Sequence, residues 1–195
     1  MSSPYSIGVV VGSLRKDSFN AKLARAVERL APPELAFKHI EIRDLPLYDQ
    51  DDDERPHASV KKLKAEVRAS DAIVFVTPEY NRSIPGVLKN ALDHASRPYG
   101  QSAWEGKPAG ILGISVGQIG TAVAQQHLRG MLGYLDMPTL GQPEVFLQVR
   151  DGLFDERGEI GIASTKQFLQ KWMDRWVSWV QRHAAASERA TPGVR

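Results

Sequence analysis

The chain contains no cysteine. This absence excludes disulfides, thiolate catalysis, cysteine-ligated zinc and iron–sulfur clusters. Redox chemistry in this protein would therefore depend on a bound organic cofactor or on a metal held by other ligands. The five histidines are scattered without metal-ligand pairing, and we interpret each as a surface or packing residue. The acidic run Asp49–Glu54 lacks the glycine and the terminal glutamate of a calcium loop, so we interpret it as a solvated loop and predict no metal site.

Long apolar runs and signals for export are also missing. No segment is long and apolar enough to cross a bilayer, and we expect no membrane partner. Residues 1–4 carry no basic region followed by an apolar one, which predicts a cytoplasmic location. The formal charge is only +2, and Lys61–Lys64 is the nearest approach to a basic tract. We interpret that cluster as a solvated helix face and expect no nucleic-acid partner.

Two common nucleotide-binding motifs are absent as well. The chain has neither Gly-x-Gly-x-x-Gly nor the phosphate loop of nucleoside triphosphatases, which disfavours the ordinary dinucleotide and triphosphate folds. Ser13 has no evident histidine partner, so hydrolysis has little support.

What the sequence does contain is an alternation of apolar runs and amphipathic segments. Its 195 residues, 42% hydrophobic and 25% charged, suit a single α/β domain over residues 1–195, with a loose tail over residues 184–195. The predicted strands are Tyr5–Val11, Ala36–Ile42, Asp71–Thr77, Ala109–Ser115 and Glu144–Val149. The predicted helices are Phe19–Leu30, Ser59–Ala69, Ile84–Ala95, Thr121–Leu135 and Ser164–His183.

Strict alternation of strands and helices indicates a doubly wound parallel sheet. Both the flavodoxin-like strand order 2-1-3-4-5 and a Rossmann half fit this pattern. The last helix carries an aromatic stripe at helical spacing, which we interpret as core. In such sheets ligands bind beyond the carboxyl ends of the strands, so the loops after the first, third and fourth strands are candidates for the site.

The first of these loops, Gly12–Asn20, joins a buried strand to a helix N-terminus. Free backbone N–H groups and the helix dipole make such an end suitable for a phosphate. Ser13, Ser18 and Asn20 add hydrogen-bond donors, and Arg15 adds a cation that can bind phosphate in a bidentate manner. A turn with Ser18 as helix cap is the structural alternative. The clustering of these residues favours a phosphate site.

The second loop, Thr77–Gly86, is bracketed by Pro78 and Pro85, which restrict its conformation. A stiff loop can hold backbone donors and acceptors against the edge of a flat heterocycle, and Tyr80 supplies a flat surface beside it. A plain connector is an equally good interpretation. In the third loop, Ser115–Thr121, two glycines permit close approach of a ligand, although a simple glycine turn explains them equally well.

Taken together, these segments resemble the NADPH-dependent FMN reductase family, which includes bacterial quinone, chromate and azo-dye reductases. The most specific match is Pro78–Asp93 (PEYNRSIPGVLKNALD), and Gly12–Asn20 (GSLRKDSFN) matches the phosphate loop of the family. Further matches are Leu45–Tyr48, Gly106–Pro108 and the Ser-x-Gly-x-x-Gly that begins at Ser115. The likeness covers roughly residues 5–182.

The resemblance implies the flavodoxin-like fold, a three-layer sandwich with a five-stranded parallel sheet of order 2-1-3-4-5, and a noncovalent FMN. The cofactor-binding residues that it implies are Ser13, Leu14, Arg15, Ser18, Phe19 and Asn20 around the phosphate, Pro78, Glu79, Tyr80 and Asn81 along the isoalloxazine, and Ser115, Gly117 and Gly120 on its other side. It also implies a homodimer or homotetramer. Family members often carry Gly-Gly where this chain has Gly120-Thr121, and a side chain at Thr121 would be expected to narrow the substrate pocket.

The implied activity is a ping-pong transfer of hydride from NADPH or NADH to bound FMN, and then of electrons to a quinone, azo, metal-oxyanion or flavin acceptor. The cofactor carries this chemistry, so no catalytic acid or base is predicted. Two alternatives differ in class: a flavodoxin-like electron carrier and an FMN-binding regulatory protein, neither of which oxidises a nucleotide. Carriers tend to be acidic, and the mildly basic charge and Arg15 argue against that alternative.

Overall fold

The protein is described by a computed structural model that covers residues 4–189, with side chains for residues 4–184. Its five strands form one parallel sheet of order β2-β1-β3-β4-β5, which confirms the flavodoxin-like order and excludes the Rossmann half. The strands are β1 Tyr5–Val11, β2 Leu35–His39, β3 Ala72–Val76, β4 Ala109–Ser115 and β5 Val145–Gln148. The helices are α1 Phe19–Glu28, α2 Ala58–Arg68, α3 Gly86–Ser96, α4 Ala122–Tyr134 and α5 Ala163–Arg189.

The central strands are apolar on both faces because helices cover both faces of the sheet. Along β3, Val74 and Val76 point into the layer formed by α1 and α5, while Ile73 and Phe75 point into the layer formed by α2, α3 and α4. This alternation follows from the two-residue period of a strand. Every residue of β3 is buried.

The aromatic stripe of the last helix lies in the core, as predicted. Trp172 and Trp176 stack with ring centroids 5.8 Å apart, and both are fully buried. They pack directly on β4, where a Cβ added to Gly110 would lie 3.0 Å from each ring. Glycine is required at this position because a larger residue would displace the tryptophans.

The ends of several elements differ from the sequence prediction. The strand β2 stops at His39, three residues early, because Ile40 N donates the last sheet bond to Val9 O (2.9 Å) before the chain turns away. The acidic loop contains a short 3₁₀ helix, Gln50–Asp52, that the sequence did not predict. The helix α5 continues to Arg189, past the predicted end at His183, and residues 190–195 of the predicted tail lie outside the described residues.

The interpretation of Lys61–Lys64 as a solvated face is wrong for its last member. Lys61 and Lys62 are exposed, but Lys64 is only 8% exposed, and its ammonium donates to the carbonyl of Arg97. Burial lowers the pKa of Lys64, and the nearby positive charge of Arg68 lowers it further. Lys64 thus ties α2 to the end of α3.

The sequence led us to expect neither a membrane span nor a metal site. Within the described part of the chain, no helix has both the length and the apolar character of a membrane span. Over the same residues, the structure brings together no group of three or more histidine, aspartate or glutamate side chains that could hold a metal ion.

Candidate cofactor site

The three loops singled out in the sequence emerge side by side at one edge of the sheet. The β1–α1 loop begins where Gly12 N donates to Val76 O at 2.9 Å. The β3–α3 loop begins where Thr77 N donates to Leu112 O at 3.0 Å. Because β1, β3 and β4 are parallel neighbours, their carboxyl ends place residues 12–18, 77–85 and 115–121 next to one another.

The β1–α1 loop presents unpaired donors at the start of α1. Ser18 caps the helix, its hydroxyl accepting from Ala21 N at 3.3 Å. Among the described residues, the backbone N–H groups from Ser13 to Ser18 donate to no protein acceptor. Arg15 is exposed, with its guanidinium carbon 5.6 Å from the centre of the Phe19 ring. Free N–H groups, a helix N-terminus and a nearby cation fit a phosphate group.

Asn20, which the sequence placed among the phosphate ligands, has both ends of its side-chain amide engaged elsewhere. Its Nδ2 donates to Ile114 O at 2.9 Å, and its Oδ1 accepts from Ile114 N at 3.1 Å. Two residues earlier, Leu112 O accepts from Thr77 N, the first residue after β3, so Ile114 faces a position where β3 has already ended. The Asn20 amide takes the place of the missing strand. It therefore holds the phosphate loop to β4 and is not free to bind phosphate.

The β3–α3 loop contains a tight turn. Tyr80 and Ser83 exchange two backbone hydrogen bonds of 2.9 Å each. The residues between them, Asn81 and Arg82, have φ angles of 49° and 65°, the geometry of a type I′ turn. Asparagine is common in this conformation and arginine is not. The turn leaves Tyr80 50% exposed.

Glu79, predicted as a flavin contact, uses its carboxylate within the protein. Its Oε2 accepts from the backbone N–H groups of Val123 and Ala124, each at 3.0 Å, at the start of α4. Its Oε1 lies 3.1 Å from Arg82 Nη1, and the side chain is 6% exposed. Thr121, the N-cap residue of α4, makes no capping bond of its own. Glu79 therefore caps α4 from another loop and fixes the β3–α3 and β4–α4 loops to each other.

Short-range hydrogen bonds hold the β4–α4 loop. Gly117 N donates to Ser115 Oγ and Gly120 N donates to Gly117 O, each at 3.1 Å. A Cβ added to Gly117 would meet only Ser115 Oγ, at 3.6 Å, so the space beside Gly117 is open. Gly120 differs, because its φ is +62° and an added Cβ would lie 3.0 Å from the backbone of Phe146. The side of Gly120 on which a Cβ would project therefore packs against β5.

Thr121 does not narrow the pocket, contrary to the sequence expectation. The residue is fully buried, and its hydroxyl accepts from Gln125 Nε2 at 2.8 Å. Its side chain fills the space above Gly113, where an added Cβ would clash with it. The Thr121 side chain therefore points into the core rather than toward the loops.

Sequence reasoning missed two exposed apolar residues of the β4–α4 loop. Val116 is 73% exposed and Ile119 is 47% exposed. Together with Tyr80 they give this edge of the sheet an apolar, partly aromatic surface. The available signal was the presence of two branched apolar residues in a glycine loop that otherwise reads as a turn.

Two separate parts of this site suit the two ends of one FMN molecule. The β1–α1 loop supplies N–H groups and Arg15 for a dianionic phosphate, and the other two loops supply a flat apolar surface for a ring. This division of features is consistent with a site whose chemistry belongs to its cofactor.

Comparison with known proteins agrees with this geometry. Residues 5–150 match the family model described as NADPH-dependent FMN reductase. A quinone reductase of Pseudomonas putida is 51% identical over 186 residues, covering 95% of this chain and 100% of that protein. A 2-hydroxy-1,4-benzoquinone reductase of a Burkholderia species is 50% identical over 175 residues, covering 90% of this chain and 96% of its own length.

Among solved structures, the flavoenzyme FerB of Paracoccus denitrificans, an NAD(P)H:(acceptor) oxidoreductase, superposes with a TM-score of 0.88. It is 42% identical, and the match covers 92% of this chain and 98% of that one. On the extent of the family match and the identity to these relatives, the chain belongs to the NADPH-dependent FMN reductase family.

Proposed function

We propose that this protein is an NAD(P)H-dependent FMN oxidoreductase that passes electrons from a nicotinamide nucleotide to a small acceptor in a ping-pong cycle. The observation that carries the proposal is the meeting of a donor-rich loop and an open, partly aromatic surface at one edge of a sheet in a chain of this family. When bound, FMN would supply the capacity to accept a hydride and to release its electrons to a second substrate.

In this proposal the β1–α1 loop binds the phosphate end of the cofactor. The free N–H groups from Ser13 to Ser18 neutralise part of its charge together with the dipole of α1. Arg15 contributes a charge-assisted hydrogen bond. Asn20 acts indirectly, because the two hydrogen bonds of its amide to Ile114 hold the loop against β4.

The ring would lie between the β3–α3 and β4–α4 loops. Pro78, Tyr80 and Asn81 form one side, and Ser115 and Gly117 form the other. The bonds of Glu79 to α4 link the two sides and so help to pre-organise the ring site.

The acceptor is proposed to be a quinone or a similar flat molecule. The two relatives described above are named as reductases of quinones, and the exposed Val116 and Ile119 offer this chain an apolar surface for such a molecule. Azo compounds, metal oxyanions and free flavin stay as alternative acceptors. The cytoplasmic location and the absence of a nucleic-acid partner remain predictions from the sequence.

We further propose that the protein is a homodimer or homotetramer. Between α3 and α4 lies an apolar groove of about 510 Å³ whose lining includes Leu92, Met131 and Leu135, with Tyr134 standing 83% exposed at its rim. The groove lies along the later turns of both helices and offers an apolar surface that a second copy could cover. Sedimentation velocity of the wild type and of Met131→Glu tests this, with a monomeric wild type contradicting it.

The decisive experiment for the function is an absorbance spectrum of the protein reconstituted with FMN, before and after anaerobic addition of NADPH. We expect a bound-flavin spectrum that bleaches with NADPH and recovers on addition of a quinone. Bound flavin that NADPH does not bleach would support an electron carrier or regulatory protein instead. Failure to bind flavin would remove the functional proposal altogether.

A further inference from the structure

The tight turn of the β3–α3 loop carries an arginine at a position that favours glycine. A type I′ turn needs positive φ at both central residues, and its commonest pair is Asn-Gly. Here the pair is Asn81-Arg82, and Arg82 has a φ of 65°. A residue with a Cβ is strained in this conformation, and such strain is concentrated at functional sites. The turn gains nothing from arginine at this position, which favours a role for the Arg82 side chain itself.

Arg82 is the only exposed charge on the two loops proposed to hold the ring. Residues 77–86 contain one other charged side chain, Glu79, and residues 115–121 contain none. The Glu79 side chain is 6% exposed, whereas that of Arg82 is 68% exposed. Because the other exposed side chains of these loops are uncharged, the guanidinium sets the sign of the electrostatic potential at this part of the site.

The contact with Glu79 leaves most of the Arg82 guanidinium free. Arg82 Nη1 donates to Glu79 Oε1 at 3.1 Å, and within the described part of the chain its side chain makes no other hydrogen bond or ion pair. The charge of Glu79 is shared with α4, since its other oxygen accepts from two backbone N–H groups there. Arginine has five N–H donors, so several of them remain available for a ligand.

Arg82 is held beside the β4–α4 loop because its turn is fixed to α4. Glu79, which the guanidinium contacts, accepts from two backbone N–H groups in the first turn of that helix. Ser83, which closes the turn, has its hydroxyl oxygen 3.0 Å from His127 Nδ1 on the same helix. The guanidinium therefore stays near the first turn of α4, which directly follows the loop proposed to line the ring.

From these observations we infer that Arg82 makes the protein prefer acceptors that carry a negative charge, such as an ionised hydroxyquinone, over neutral acceptors of the same size. This inference rests on the proposed function, since it names the class of acceptor at that site. An ionised 2-hydroxyquinone places its anionic oxygen beside a carbonyl oxygen, and a guanidinium can donate to such a pair with two N–H groups. Overall, one NAD(P)H, one proton and one quinone give one NAD(P)⁺ and one hydroquinone.

Reoxidation of the reduced, FMN-loaded protein tests the inference without a nucleotide. The flavin is reduced photochemically and mixed in stopped flow with 2-hydroxy-1,4-naphthoquinone, which is anionic at neutral pH, or with 2-methyl-1,4-naphthoquinone, which is neutral and of similar size. We expect the ratio of the two rate constants, anionic over neutral, to fall about tenfold in Arg82→Asn, the loss of one charge-assisted contact. The same acceptors react with both proteins, so their difference in reduction potential cancels from this change.

Two further variants sharpen the test. Asparagine tolerates positive φ, so Arg82→Asn should fold, and Arg82→Lys keeps the charge without the planar fork and should keep part of the preference. Arg175→Asn is the matched control, because Arg175 is exposed on α5 and makes no ion pair within the described residues. It should leave the ratio unchanged. Added salt should slow the anionic acceptor in the wild type and affect Arg82→Asn less.

An unchanged ratio in Arg82→Asn would overturn the inference. Equal losses with both acceptors would overturn it as well, because they would show that Arg82 supports the turn and does not select by charge. The failure of the proposed function looks different. If neither NADPH nor NADH bleaches the bound flavin, the proposed function fails, while charge-dependent reoxidation through Arg82 still supports the inference.

Discussion

The β1–α1 and β3–α3 loops are both polar in sequence, yet the structure uses their polar groups in opposite ways. The first leaves the backbone N–H groups from Ser13 to Ser18 without a partner in the described protein. The second pairs its backbone across the Tyr80–Ser83 turn and commits the carboxylate of Glu79 to α4. Polar groups in adjacent loops can therefore serve different purposes. One loop leaves its groups free for a ligand, and the other uses them to stabilise its own conformation.

The largest expected loss of stability comes from changing Asn20. This residue is the exception to the contrast between the two loops, because it follows the open β1–α1 loop but has both ends of its side-chain amide hydrogen-bonded within the protein. We expect Asn20→Ala to leave the N–H and C=O of Ile114 buried and unpaired, at about 1–3 kcal/mol for each group. Urea denaturation of the cofactor-free protein measures this loss. Asn20→Asp keeps the acceptor for Ile114 N but sets a carboxylate oxygen against the carbonyl of Ile114, so it should not restore the stability. An unchanged stability of Asn20→Ala would show that the amide is dispensable to the fold.

The next effect should fall on ligand binding alone. Gly117→Val places side-chain atoms in the open space beside the loop, where only Ser115 Oγ lies near, so the fold should tolerate it. We expect flavin affinity to fall by about 3 kcal/mol, the upper end of the cost of overpacking, or roughly 100-fold. Fluorescence titration with FMN measures the change. Gly117→Ala is the graded control and should lose less, and full occupancy of the valine variant would place the ring elsewhere.

Arg15 tests whether the open loop is a phosphate site. The side chain is exposed and makes no ion pair within the described residues, so Arg15→Ala should leave the stability of the cofactor-free protein unchanged. We expect FMN affinity to fall by about 1.5–3 kcal/mol through loss of a charge-assisted contact. Riboflavin, which lacks the phosphate, should bind both forms equally. The same loss for riboflavin and FMN would remove Arg15 from the phosphate site.

Glu79 tests the other half of the comparison, and its effect should be the smallest. Removing the carboxylate frees two N–H groups at the start of α4, a loss of about 1–2 kcal/mol typical of a helix cap. We expect Glu79→Ala to lower the melting temperature of the cofactor-free protein and Glu79→Gln to lower it less. If Glu79→Ala weakened FMN binding without lowering stability, Glu79 would contact the flavin directly, as the sequence suggested.

The parallel α/β architecture could be predicted from local patterns in the sequence, whereas the strand order followed only from the family resemblance, because strict alternation fits a Rossmann half equally well. The continuous apolar run of β3 predicts a strand covered on both faces, and the tryptophan stripe of α5 predicts a helix packed in the core. Their approximate ends followed from the same patterns.

The roles of individual site residues could not be predicted, because they depend on partners that are distant in sequence. Asn20 meets Ile114 across 94 residues, and Glu79 meets Ala124 across 45. Their motifs suggested ligand contacts, and nothing in the surrounding residues revealed the competing internal bonds. Thr121 and Lys64 illustrate the same difficulty, since only the packing around them decides whether a side chain faces inward.

The bond between Asn20 and Ile114 also sets an order of events during synthesis on the ribosome. The phosphate loop is complete in the growing chain once residue 20 has been added, but the strand that holds it is made 94 residues later. At typical elongation rates of 5–20 residues per second, that interval is roughly 5–20 s. During this interval the nascent chain contains the cofactor-binding loop but not the strand β4 that holds it in place. Flavin binding should therefore occur only after β4 has been made and most of the sheet can form.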